Sequence, residues 1–169
     1  GTGMDYPTLK DAVAVLNWVG VGTGGVTFSI LGGHTETVAA GSTTPNPDVP
    51  AGLFITATGT AANPIVIQWN GSGVKPVFKA GTGIGNFDFV IGIGGGSYIT
   101  LDGLNIQEDN TNNTTDAKRA EIGIGLFKKQ YNTSLGNIGC SNITVKNCMI
   151  TLTRGPNAFG NYAYCLDNY

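Results

Sequence analysis

Charged residues are scarce in this sequence, and their scarcity excludes several classes of protein. Asp, Glu, Lys and Arg make up 12% of the 169 residues, and the formal net charge is −2. The basic residues are scattered, with Lys118-Arg119 and Lys128-Lys129 as the only adjacent pairs, whereas a nucleic-acid-binding surface usually shows a basic stripe. No apolar run approaches the roughly 20 residues of a membrane helix. We therefore expect neither a nucleic-acid partner nor a membrane span.

Metal ligands other than carboxylates are also few. His34 is the only histidine, and the three cysteines, Cys140, Cys148 and Cys165, all lie near the end of the sequence. No Cys-x-x-Cys or Cys/His spacing indicates zinc. An odd number of cysteines leaves at least one without a partner in this chain. We interpret the three as small buried side chains, with a Cys148–Cys165 disulfide as the alternative.

Glycine, in contrast, is abundant, with 27 of 169 residues against an average usage of roughly 7%. Because glycine costs about 1 kcal/mol at each helical site, this composition excludes a helical bundle. Glycine does not recur at every third position, which excludes collagen. General disorder is excluded because 41% of the residues are hydrophobic and occur in short clusters. The composition predicts a β-rich chain with many turns, forming a single domain over residues 1–169.

Residues 8–19 have the pattern of a helix. Thr8 is a good N-cap, Asp11 follows three residues later, and Gly20 is placed to end the helix. After Gly20 the apolar residues alternate with polar ones, which is typical of strands. The predicted strands are residues 26–30, 34–38, 53–58, 65–69, 77–79, 87–93, 98–107, 121–127, 143–153 and 162–166. The proline-rich stretch 39–52 and the polar stretch 109–119 are predicted to be exposed loops.

Two parts of the chain are copies of one another. Residues 97–106 align without gaps to residues 141–150, at an offset of 44, and residues 90–94 resemble residues 121–125. In each copy, short strands are separated by polar corners such as Asp102-Gly103 and Lys146-Asn147, where glycine and asparagine tolerate a sharp bend. Such short strands bury their apolar faces only by stacking coil upon coil. The repeat therefore predicts a parallel β-helix, with the helix at residues 8–19 capping its first coil.

The opening residues carry a resemblance to a known group of proteins. Residues 1–17, Gly-Thr-Gly-Met-Asp-Tyr-Pro-Thr-Leu-Lys-Asp-Ala-Val-Ala-Val-Leu-Asn, resemble the start of right-handed parallel β-helix domains of the pectate-lyase-like superfamily, in which a Tyr-x-Thr-Φ-x-x-Ala-Φ helix caps the first coil. Residues 25–38 are similar to the strand and turn that follow. The closer likeness, to which residues 56–65 add, is to large secreted surface proteins of Gram-negative bacteria that carry such β-helices with a C-terminal sorting signal.

This resemblance implies an all-β fold, a right-handed parallel β-helix with an N-terminal capping α-helix, and a secreted, cell-surface location. It carries over no catalytic residue, because the sequence has no matching Asp/Arg or paired-Asp signature. Since the sequence begins without Met and stops inside a predicted strand, we expect the chain to continue beyond Tyr169 as a longer solenoid.

The densest group of carboxylates is the first candidate site. Asp102, Glu108, Asp109 and Asp116, with the asparagines between them, could hold a calcium ion through oxygen ligands. No Asp-x-[Asp/Asn]-x-[Asp/Asn]-Gly spacing accompanies them, so a solvated polar loop is the alternative. We expect either no cofactor or calcium.

Two smaller groups are also candidates. His34 and Glu36 lie two residues apart on a predicted strand and share a face, either as a general acid–base pair or as the polar edge of the first coil. Tyr162 and Tyr164 either stack on sugars or pack in the interior. The glycine-rich runs 81–85 and 92–96 lack the lysine and helix of a phosphate loop, so they are interpreted as coil corners.

Together these features favour a non-catalytic structural or adhesive module of a secreted bacterial surface protein, with glycans or another surface protein as partners. This function rests partly on fold resemblance. The competing hypotheses are the N-terminal part of a polysaccharide lyase or glycoside hydrolase, and a carbohydrate-binding module.

Overall fold

The computed structural model describes residues 5–39, 53–83, 88–108, 119–130, 137–153 and 162–166, the last of these by their backbone alone. The predicted loop at residues 39–52 lies almost wholly outside these ranges, as do residues 109–118 of the second predicted loop. The described part contains one helix, α1 (Leu9–Val19), and otherwise short strands. It is therefore mostly β, as the composition predicts.

Twelve of the described strands form three parallel sheets. In chain order the strands are β1 (Val26–Ile30), β2 (Thr35–Val38), β3 (Leu53–Ile55), β4 (Ile65–Trp69), β5 (Val77–Ala80), β6 (Phe89–Gly94), β7 (Ser97–Asp102), β8 (Asn105–Glu108), β9 (Ile122–Phe127), β10 (Lys129–Gln130), β11 (Asn137–Ile138), β12 (Ser141–Lys146), β13 (Met149–Thr151) and β14 (Tyr162–Leu166). Sheet A has the order β1-β4-β7-β12, sheet B the order β2-β5-β8-β13, and sheet C the order β3-β6-β9-β14. The short strands β10 and β11 pair with each other, antiparallel. Consecutive strands thus visit the three sheets in turn, which is compatible with a parallel solenoid.

The sequence repeat correctly predicts the register of two strand pairs, β7–β12 in sheet A and β8–β13 in sheet B. Ile99 lies beside Ile143 in sheet A, and Ile106 lies beside Ile150 in sheet B, both at the offset of 44. In sheet C, strands β6 and β9 pair at an offset of 33, with Ile91 beside Ile124, whereas the sequence alignment of residues 90–94 with 121–125 implies an offset of 31. A shift of two residues keeps the same side chains on the same face of a strand, which explains why the pattern alone did not reveal it.

The helix begins and ends as predicted. The Thr8 hydroxyl accepts the Asp11 N–H (3.0 Å), and Gly20, at φ 79°, closes the helix by donating its N–H to Leu16 O (2.8 Å). The buried face consists of Leu9, Ala12, Val13 and Leu16. This face joins the main hydrophobic core, which is formed by the inward side chains of all three sheets.

Both predicted corners have the left-handed backbone that a sharp bend requires. Gly103 has φ 74°, and Asn147, at the equivalent place in the next copy, has φ 55°. The second residues of strands β7 and β12, Tyr98 and Asn142, also have positive φ, of 54° and 53°. The repeat therefore preserves backbone conformation as well as side-chain type.

The interpretation of residues 92–96 as corner glycines is wrong for Gly92 and Gly94, which lie inside strand β6. Phe54 pairs with Gly92 across the sheet, and Phe127 pairs with Gly94. A Cβ atom on Gly94 would lie 2.4 Å from Phe54 Cζ, and one on Gly92 would lie 2.6 Å from Phe54 Cδ2. These glycines are therefore required by the phenyl rings that cover them. The rings of Phe54, Phe89 and Phe127 form a separate small cluster, with centroids 5.1 to 6.1 Å apart.

Candidate functional site

Glu36, a member of the predicted His–Glu pair, anchors the capping helix. Its carboxylate accepts the N–H of Leu9 at Oε2 (2.8 Å) and that of Lys10 at Oε1 (3.1 Å). These are the first two N–H groups of α1, which have no partner inside the helix. The side chain is only 7% exposed, so its negative charge lies at the positive end of the helix dipole. This contact ties strand β2 to the cap.

His34 completes this arrangement. Its Nε2 atom lies 3.3 Å from Glu36 Oε2, and its ring packs against Phe78 with a centroid distance of 6.1 Å. The structure thus brings the predicted pair together, as the shared face implies. Since both carboxylate oxygens already accept helix N–H groups, the geometry fits the polar end of a coil better than an acid–base pair.

Asp102 lies at a corner between sheet A and sheet B. Asn147 donates to its Oδ1 from Nδ2 (2.8 Å), and Lys146 Nζ lies 3.3 Å from its Oδ2. The hydrogen bond from Asn147, with help from Lys146 and Lys75, lowers the pKa of Asp102 below its ordinary value of 3.8. A calcium ion at Asp102 would have to displace the Lys146 ammonium.

Glu108 lies at the far end of strand β8 from Asp102, and it turns toward different neighbours. Its Oε1 accepts the N–H of Ala120 (3.1 Å), so the carboxylate connects the two ends of the segment formed by residues 109–118. Asp109 and Asp116 lie outside the described residues. Among the described residues, no three His, Cys, Asp or Glu side chains are placed to hold a metal ion. The calcium site stays a prediction.

Sequence reasoning missed a group of buried acids at the start of sheet C. Glu121 precedes strand β9, Asp88 precedes strand β6, and Glu121 Oε2 accepts the Asp88 N–H (2.9 Å). Asp88 is fully buried, while Glu121 and Glu108 are 8% and 7% exposed. An alignment at the offset of 33 would have matched Asp88 with Glu121 and revealed two acids before corresponding strands.

Burial raises the pKa of Glu121 from its ordinary value of 4.5 to about 7. The negative charges of Asp88 and Glu108 act in the same direction, while the N–H that Asp88 donates to it acts against them. A raised carboxyl pKa is one property of catalytic acids, but structural networks produce it as well. Here the Glu121 side chain joins strand β6 to strand β9 through its bond to Asp88.

The described cysteines are free thiols inside the fold. Cys140 Sγ donates to Ile93 O (3.2 Å), and Cys148 Sγ donates to Leu101 O (3.7 Å). Burial raises the pKa of both thiols above the ordinary value of 9.0, so they are poor nucleophiles. Cys140 and Cys148 are partly buried and pack against the main core, so the prediction of buried side chains holds for them only in part, while the side chain of Cys165 lies outside the described part.

The two predicted stacking tyrosines belong to strand β14. Tyr162 pairs with Ile122 and Tyr164 pairs with Ile124 along the backbone. Their side chains lie outside the description, so the glycan-stacking role stays a prediction.

An open groove lies between α1 and strand β1, at a place that no sequence motif marks. Its volume is about 700 Å³. One wall is the helix, with Leu9, Ala12, Val15, Leu16 and Val19, and the other wall is every residue from Val26 to Leu31. The groove also contacts Tyr6 and His34.

Comparisons with protein-family models, with curated proteins and with solved structures found no match. No helix in the described ranges is long and apolar enough to span a membrane.

Proposed function

We propose that this chain is a right-handed parallel β-helix that serves as a structural or adhesive module of a secreted bacterial surface protein, without catalytic activity. The observation that carries the proposal is the order of the strands. Each sheet contains every third strand of the repeating set, all parallel, and neighbouring strands in a sheet come from successive passes of the chain. Stacking of this kind gives a rigid body whose corners and loops are free to vary.

The chemistry of the polar groups supports a structural role. Glu36 binds a helix terminus, Asp102 bonds to Asn147, and Glu108 and Glu121 accept backbone N–H groups from neighbouring segments. Glycoside hydrolysis needs two carboxyl groups that face a substrate cleft. These four carboxylates instead hold one part of the fold to another.

Activity on polysaccharides is the test of this proposal. The purified chain is incubated with polygalacturonate and with a panel of neutral and acidic polysaccharides, and new chain ends are measured. We expect no cleavage with or without added calcium. Cleavage that is lost in Glu121→Gln or Glu36→Gln, while the folded state is retained, would establish the alternative of a lyase or hydrolase.

Glycan binding distinguishes the adhesive module from a carbohydrate-binding module. Saturable binding of a defined oligosaccharide that disappears in Tyr162→Ala or Tyr164→Ala, and not in Tyr98→Ala, would favour the carbohydrate-binding module. Attachment to bacterial or host surfaces that does not depend on glycans would support the adhesive module. Secretion itself is tested by locating the protein in fractions of the source organism's cells.

A further inference from the structure

Among the described strands, β4 is the only one that pairs with strand β1, so the other edge of strand β1 is free of them and lies along one wall of the groove between α1 and strand β1. Val26 donates its N–H to Pro64 O (2.9 Å), and Ile30 O accepts the N–H of Asn70 (2.9 Å). Because alternate residues of a strand bond to the same neighbour, the backbone groups of Val26, Phe28 and Ile30 face strand β4. Those of Thr27 and Ser29 consequently face away from the sheet.

The residues that line the groove show that this edge borders it. A cavity over one face of a strand contacts every second residue, whereas this one contacts all of residues 26–31. The opposite wall is apolar and formed by one side of α1, with Val15 and Val19 that are 40% and 71% exposed. A free backbone edge facing an apolar wall is the geometry by which proteins bind an extended peptide as an added strand.

The register of sheet A specifies what such a strand must contain. Val26, Ile65 and Ile99 form one column of stacked side chains, and Phe28, Ile67 and Leu101 form the next. Val26 and Phe28, which begin the columns, are only partly buried. The residues that follow them in the two columns are fully buried, namely Ile65, Ile67, Ile99 and Leu101. An added strand would continue the β4–β1 interface and cover them with apolar side chains at two alternate positions.

From these observations we infer that the groove is a β-augmentation site for an extended peptide with apolar residues at alternate positions and neutral or basic flanks. Among the residues that line the groove, Asp5 is the only one with a carboxylate, and none is Lys or Arg. This distribution of charge disfavours an acidic peptide. The volume of about 700 Å³ falls within the usual range of ligand sites, roughly 300–1,000 Å³. The inference does not depend on the proposed surface role.

A second copy of the chain fits less well. Strand β12 of a second copy ends sheet A among the described strands, but it would bring its own neighbours in the chain, strands β13 and β14, to the groove with it. A single extended segment fits between the helix and strand β1.

Binding of a designed peptide tests the inference. The probe is a labelled peptide with the sequence of strand β4, Pro-Ile-Val-Ile-Gln-Trp, flanked by lysines, because strand β4 already pairs with strand β1 on its other edge. Fluorescence anisotropy with the full chain should show saturable binding. A peptide with both isoleucines replaced by asparagine should not bind. Hydrogen exchange should show the Thr27 and Ser29 amides becoming protected only when the first peptide is bound.

Two variants with matched controls locate the site. Thr27→Pro removes an N–H that faces the groove and should weaken binding by about tenfold or more, whereas Thr37→Pro, the same change on the outer edge of strand β2, should not. Val19→Lys places a charge on the apolar wall and should weaken binding similarly. Trp18→Lys, next to it but outside the groove, should leave binding unchanged.

Three results would overturn the inference. They are the absence of saturable binding at millimolar peptide, binding that survives both Thr27→Pro and Val19→Lys, and protection of amides elsewhere in place of Thr27 and Ser29. Concentration-dependent self-association that Thr27→Pro abolishes would assign the groove to a second copy of the chain and would equally refute a peptide site.

Discussion

At the scale of single residues, the most consequential side chain is Glu36, because it is a buried charge bonded to the start of a helix. Replacing it with alanine removes the acceptor of two N–H groups and leaves the first turn of α1 without this partner. We expect Glu36→Ala to lower the free energy of unfolding by about 1–3 kcal/mol, and Glu36→Gln, which keeps one acceptor oxygen, to lower it less. Urea denaturation measures both.

A suitable control is Asp11→Asn, which changes an exposed acid in the same helix turn. Its effect should be smaller than that of Glu36→Ala, since Asp11 bonds to the Thr8 hydroxyl (2.6 Å) at the surface. Equal effects of the two substitutions would show that burial of the Glu36 carboxylate contributes nothing.

Glu121 gives the protein a specific dependence on pH. Its pKa of about 7 in the folded state lies above the ordinary value of 4.5, so the folded protein binds more protons between these values than the unfolded chain does. The contribution of Glu121 to the free energy of unfolding therefore falls as the pH rises from about 4.5 to about 7 and is constant above that. The shift sets an upper limit of about 3 kcal/mol.

Glu121→Gln should remove this dependence. We predict that the stability of the wild type relative to Glu121→Gln decreases between about pH 4.5 and pH 7, as measured by urea denaturation at several pH values. Asp5→Asn, which also removes one carboxylate but at an exposed position, is the control for the change in net charge. A wild type that gains stability relative to Glu121→Gln as the pH rises would contradict the assignment.

At the scale of elements, one side chain holds the capping helix to sheet C. Asn17 donates to Phe54 O (2.7 Å) and accepts the N–H groups of Thr56 (2.8 Å) and Ala57 (3.1 Å). Asn17→Ala leaves three backbone groups without this partner, which should cost about 2–3 kcal/mol. Asn17→Asp keeps the acceptor and loses the donor, so it should cost less. Thermal denaturation monitored by circular dichroism distinguishes the two.

Sheet C depends on the absence of side chains opposite its phenylalanines. Gly94→Ala would bring a methyl group to 2.4 Å from Phe54 Cζ, and such overpacking typically costs about 1–3 kcal/mol. Gly22→Ala is the control, because nothing lies within 4 Å of its added Cβ. Adding Phe54→Leu to Gly94→Ala should recover part of the loss, and strict additivity of the two substitutions would argue against the contact.

The elements differ in how far the sequence predicts them. The helix follows from local signals, Thr8, Asp11 and Gly20, and strands β1, β4 and β14 follow from alternation with bounds that are correct to the residue. Predicted strands that cross corners, such as residues 98–107, are divided in the structure at Gly103, where the repeat already indicated a bend. The contacts of Asn17, the Phe54–Gly92 pair and the buried acids join segments about 30–40 residues apart, so no local pattern reveals them.

At the scale of the whole molecule, the stacking of coils predicts that equivalent positions differ in energetic importance along the stack. Ile99 and Ile106 lie in the third pass of the chain and are fully buried, whereas Ile143 and Ile150, their register partners in the fourth pass, are only partly buried. In the same pass Val145 and Met149 are 42% and 51% exposed. Among the described residues, the side chains of the third pass have neighbouring passes on both sides, and those of the fourth have a neighbouring pass on one side.

Four single substitutions test this gradient with identical chemistry at each step. Ile99→Ala and Ile106→Ala should each lower the free energy of unfolding by about 2–5 kcal/mol, the usual cost of deleting a buried isoleucine. Ile143→Ala and Ile150→Ala should cost roughly half as much, because the hydrophobic contribution scales with the apolar area removed from water. Denaturation in urea gives all four values, with unchanged m-values confirming that one cooperative unit unfolds. Equal losses within each register pair would mean that the fourth pass is as enclosed as the third, and the stacking order proposed for the solenoid would then need revision.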